Sequence, residues 1–147
     1  MNAPDLTKHA PRSIRARLGG FVILPRMLDK GRAQLAGTNG EYRYNCPLDQ
    51  HFLGFVGVDA ALLLEQLGLG KGDGEILQWI LAHATHKRSA LEIGQWSTFQ
   101  EGRGPTSVEQ RQWFQELHQQ IGPDREDIGS WADLLDLDDH VSFGGKA

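Results

Sequence analysis

Helix starts and stops are spelled out along this chain far more often than strand patterns, and that punctuation limits the fold more than any other feature of the sequence. Ser89 with Glu92, and Thr106 with Glu109, have the spacing of capping boxes, in which each side chain satisfies an amide otherwise orphaned in the first helical turn. They predict helices near 90–101 and 107–120, closed by Gly102 and Gly122-Pro123. Pro25 and Pro47 stand where a first helical turn tolerates proline, and Asp59 and Asp73 can cap two further helices. A short helix capped by Ser13 and ending before Gly19-Gly20, and a last one around Trp131–Asp139, complete the pattern. The expected fold is mainly α: a compact single-domain bundle of about six or seven helices. A chain of 147 residues is long enough to enclose one core.

Apolar spacing agrees with these boundaries. Leu24, Met27, Leu28 and Leu35 form one stripe, Leu48, Phe52 and Phe55 a second, and Ile76, Leu77, Trp79 and Ile80 a third. Leu91, Ile93, Trp96 and Phe99, then Val108, Trp113, Phe114, Leu117 and Ile121, are expected to face the core from the two capping-box helices. The run Glu41-Tyr42-Arg43-Tyr44 alternates like a short edge strand and could pair with residues 21–24 in one very short β-hairpin. Residues 1–10 are expected to form a loose arm, and residues 11–147 one globular domain.

Charge is unevenly distributed. Residues 1–50 carry eight Lys/Arg against four Asp/Glu, and residues 51–147 carry seven against fifteen, which together give the net charge of −4. Such asymmetry could orient two copies in a homo-oligomer. Without a long basic stripe the chain is not expected to bind nucleic acid. The apolar runs are too short for a bilayer, so no membrane partner is expected either. A single cysteine suits a reducing cytoplasm, and no sequence of signal-peptide type opens the chain. The helix around Trp131–Asp139 ends in an acidic turn that opposes its own dipole, so it should fray or recruit a basic partner such as the N-terminal arginines.

Candidate chemistry concentrates between Leu24 and Asp59. Cys46 precedes Pro47 at a helix start, where amides and the positive end of the dipole favour a reactive thiol, making it the candidate catalytic residue. Arg26, Lys30, Tyr42, Tyr44, Asn45 and Asp49 supply cations, phenols, an amide and a carboxylate able to bind a small polar ligand or a protein. On their helix, the pairs Arg26/Lys30 and Asp29/Arg32 have the spacing of an exposed ion-pair ladder. His83 and His86, three apart, are the lesser candidates for a metal, although neither a third ligand nor a His-Glu-x-x-His pattern accompanies them. The glycine-rich run from Gly68 to Gly74 lacks the Gly-Lys-Ser/Thr order of a phosphate loop and reads as a turn between helices. No motif implies a cofactor.

These features favour a non-catalytic binding domain, with a thiol-dependent enzyme or redox sensor at Cys46 as the alternative and a histidine-metal hydrolase third. The strings Leu24-Pro25-Arg26-Met27-Leu28-Asp29-Lys30, Tyr44-Asn45-Cys46-Pro47-Leu48-Asp49, Gly72-Asp73-Gly74-Glu75-Ile76, Leu134-Leu135-Asp136-Leu137-Asp138-Asp139 and Ser142-Phe143-Gly144-Gly145 resemble a bacterial family defined as a domain of unknown function. The likeness spans nearly the whole chain. It implies a stand-alone bacterial cytosolic domain and brings no catalytic residue with it.

Overall fold

The computed structural model describes residues 3–147. They form seven helices: α1 (Leu24–Ala36), α2 (Pro47–Val56), α3 (Ala60–Gly68), α4 (Asp73–His83), α5 (Ala90–Gly102), α6 (Val108–Ile121) and α7 (Trp131–Ser142). Among the described residues, no single helix is long and apolar enough to cross a membrane. The expected boundaries recur at the caps. Asp59 accepts from the Leu62 amide at α3, and Ser89 and Glu92 close the box at α5. At α6 the cap is shifted by one residue, with Ser107 rather than Thr106 accepting from the Gln110 amide. At α4 it is Gly72 that caps, while Asp73 is the first helical residue.

Two expected elements are absent. Residues 13–18 turn without becoming helical, because Ser13 Oγ accepts from the Arg15 amide and donates to Asp136 across the molecule instead of capping. Residues 41–44 are a turn and not an edge strand: the Tyr42 amide donates to Asn39 O, and the Asn39 side chain returns a bond to Tyr42 O. The one isolated β-bridge among the described residues lies elsewhere, between Leu18 and Phe21. Gly19 and Gly20 both take positive φ there, as the tightest two-residue reversal demands.

The main core gathers Phe21 to Leu24, Met27, Leu28, Phe52, Leu63, Ile76 and Ile80, with Phe55 and Trp96 stacked 4.7 Å apart at its edge. Ile23, entirely buried, caps α1 at φ +74°, a conformation costly for a β-branched residue that persists only because the surrounding core fixes it. A second, smaller cluster joins Phe114, Ile128, Leu134 and Leu137. Helix α7 belongs to both, since Ala132 and Leu135 face the main core. Leu35, Leu91, Phe99, Val108 and Trp113, all expected inside, are exposed instead. Leu91 and Phe99 lie eight residues apart on the outer stripe of α5, whereas Ile93 and Ser97 form its buried one.

In the segment expected to be a loose arm, Leu6 is buried and its amide donates to Thr38 O at 2.8 Å; Thr38 in turn donates to Pro4 O. The acidic helix α7 finds the basic partners it was expected to need. Arg15 binds Asp133 and Asp136, and Arg26 binds Asp139.

Candidate functional site

The charges of α1 do not form an exposed ladder. Arg26, Lys30 and Arg32 are all buried, and each reaches a carboxylate on another element rather than its neighbour one turn away. Asp29, the expected partner of Arg32, is held by Arg12, whose guanidinium also reaches Asp73 at 2.8 Å; Arg32 takes the other oxygen of Asp73 at 2.7 Å. Spacing placed the cations on a shared helical face correctly, but packing turned that face inward.

Lys30 is 3% exposed and donates to Asp49 Oδ1 at 2.9 Å and to Cys46 Sγ at 3.2 Å. The other oxygen of Asp49 accepts the Asn45 amide at 2.9 Å, so a carboxylate with no exposed surface is satisfied on both sides. Asn45 takes positive φ, which asparagine tolerates, and this reversal aims its amide back at Asp49. Tyr44 is buried and donates to Ala60 O at 2.7 Å, tying the segment to the start of α3. Burial, and after it the nearby Asp49 and Asp59, pushes its phenol well above the usual range.

Arg26 donates to both oxygens of Asp139, at 2.7 and 3.3 Å, and sits 5.4 Å over the ring of Tyr42. Tyr42 itself donates to Asp139 Oδ1 at 2.8 Å; burial and then that carboxylate push its phenol well upward. These groups form one wall of a cleft of about 910 Å³ between α1, residues 40–48 and the C-terminal half of α7. Leu6, Leu48, Leu135, Trp113 and Phe143 supply apolar surface, and Glu41, Arg43 and Asp138 add charge.

Of the residues singled out in the sequence, Arg26, Lys30, Tyr42 and Cys46 therefore meet in the cleft. Tyr44, Asn45 and Asp49 stand behind it as supports. Trp113, Asp138, Asp139 and Phe143 were missed as site residues. The acidic turn opposing the dipole of α7 was the signal for the two aspartates, whereas nothing in local spacing brings Trp113 beside them. His83 stacks on Trp79 at 4.6 Å with its Nδ1 2.8 Å from Trp79 O, and His86 is exposed. Neither joins a group of three potential metal ligands among the described residues.

A family model matches residues 8–141 of the chain. The chain belongs to DUF5069, a domain of unknown function. A comparison with curated proteins finds no match. In this DUF5069 chain the matched residues include every helix up to the last turn of α7, and they hold the cleft's buried ion pairs, Lys30–Asp49 and Arg26–Asp139.

Proposed function

We propose that this protein is a non-catalytic ligand-binding domain whose site is the cleft between α1, residues 40–48 and α7. One observation carries the reading: the cleft has the size of a metabolite site and two of its cations, Arg26 and Lys30, are already fixed by buried partners. A thermal-shift screen across metabolite classes tests it, because a ligand selective for the folded state raises the unfolding temperature with its concentration. A hit is expected to lose its effect in Trp113→Ala and keep it in Cys46→Ser. A hit indifferent to Trp113→Ala and Phe143→Ala would overturn this site, and failure of every class would favour a protein partner.

A second reading, thiol chemistry at Cys46, is favoured by the Lys30 ammonium 3.2 Å from its sulfur at the start of α2. A cation beside a sulfur at a helix start is the setting in which reactive cysteines occur. Alkylation rates measured against pH should then exceed those of a free thiol and fall when Lys30→Met is combined with Asp49→Leu; an inert Cys46 sinks the reading. We place the protein in a bacterial cytoplasm, on the support of the family resemblance in its sequence and of a lone free cysteine.

A further inference from the structure

Resting on the reading of the cleft as a ligand site, we infer that its ligand is an organic cation with an apolar body, an amine or quaternary ammonium, whose charge is taken by Asp138 beside the aromatic surfaces of Trp113 and Phe143. The charge balance of the lining points there. Arg26 is neutralised by Asp139 and Lys30 by Asp49, both in pairs buried within the protein. Glu41 and Arg43, two residues apart on the exposed rim, carry opposite charges. Both are exposed and neither is ion-paired; of the buried and half-buried charges that line the cleft, Asp138 is the one without an ion pair among the described residues. Its carboxylate has no cation within ion-pair distance among the described residues, and its one hydrogen bond, from Ser142 Oγ, is long at 3.4 Å. Burial, followed by Asp139, pushes its carboxyl above the usual range, and the Ser142 bond and then Arg26 offset only part of this. A bound cation would supply the missing counter-charge.

The apolar lining has matching chemistry. Trp113 is 54% exposed and Phe143 38%, and both open onto the same cleft as Asp138. Aromatic faces attract cations through their quadrupole, and Arg26 over Tyr42 already makes such a contact in one wall. Leu48 and Leu135 extend the apolar surface that an alkyl or aryl body would cover.

The test is a titration of the full chain with hexyltrimethylammonium, 1-hexanol and hexanoate, which share one apolar length and differ in charge. Binding is followed by the Trp113 indole resonance in ¹H–¹⁵N spectra, assigned with Trp113→Phe. The ammonium should bind about tenfold more tightly than hexanol, a difference of about 1.4 kcal/mol, and hexanoate most weakly. Asp138→Asn should abolish the ammonium's advantage while leaving hexanol binding unchanged, which also reports that the variant is folded. Equal binding of the three, or an advantage unmoved by Asp138→Asn, would overturn the cation and leave the cleft a ligand site. If none of the three moves the Trp113 resonance, both readings fall.

Discussion

At the scale of single residues, the Lys30 ammonium is a costly group to place in this protein. Its side chain is 4% exposed, and the carboxylate of Asp49 that compensates it has no exposed surface at all. Two such charges taken from water lose several kcal/mol of solvation each, and only good geometry with every remaining lone pair satisfied recovers it. Asp49 meets that condition through Lys30 and the Asn45 amide. Removing one partner should be far worse than removing both. Asp49→Ala is expected to lower stability in urea by about 3–5 kcal/mol, since it strands a buried cation and an amide, whereas Lys30→Met with Asp49→Leu should cost much less. A loss below about 1 kcal/mol in Asp49→Ala would show the ammonium to be better hydrated than the geometry implies. The sequence offered both residues as site candidates but not as each other's partners. Their pairing depends on how α1 and α2 cross, which no local spacing encodes.

At the scale of elements, α1 meets α3 at Gly31 with no room there for a side chain. A Cβ at that position would stand 2.6 Å from Leu67 Cδ1 and 3.1 Å from the ring of Tyr44. Leu67 is buried and the Tyr44 ring is fixed by its bond to Ala60 O, so neither can yield freely. Helix propensity alone would make Gly31→Ala stabilising by about 1 kcal/mol. Overpacking at a helix crossing typically costs about 1–3 kcal/mol and should prevail. The variant is therefore expected to unfold at lower denaturant than the parent, and a gain in stability would mean that α1 and α3 separate readily. Element boundaries were largely readable from the sequence, because Asp59, Ser89 and Pro47 act through contacts within one turn of themselves. Burial was less so. Phe99 and Trp113 sit on helices that expose one apolar stripe, and choosing between stripes requires knowing which neighbour covers which face.

At the scale of the whole molecule, the charge asymmetry of the sequence is consumed internally: basic groups of the N-terminal third hold acidic groups from later helices. Arg12 and Arg32 converge on Asp73, Arg15 on Asp133 and Asp136, and Arg26 on Asp139. These links make stability depend on acid in a defined direction. Burial raises the carboxyl of Asp73, but hydrogen bonds from Arg12 and Arg32 outweigh it and hold the group below its usual range. Burial likewise opposes, and the Gly129 and Ser130 amides outweigh, at Asp133. A carboxyl that is more acidic folded than unfolded stabilises the fold above its unfolded value near 3.8, and that contribution disappears as pH falls through the folded value. Asp138 runs the other way. Its raised carboxyl penalises the fold at neutral pH and relieves that penalty on protonation, before the other two begin to titrate. Urea unfolding followed from pH 7 to 3 should thus show a nearly level or slightly rising stability down to the range above 4, then a decline. In Asp73→Asn the decline should be shallower, from a lower starting stability. In Asp138→Asn the slight rise should vanish, with stability at pH 7 raised by no more than about 0.5 kcal/mol because the group is partly solvated. A parent protein whose stability is flat below pH 4 would mean that these cross-links are formed equally well in the unfolded chain. A lower stability of Asp138→Asn at pH 7 would mean that Asp138 already has its counter-charge within the fold, leaving no place in the cleft for one from a ligand.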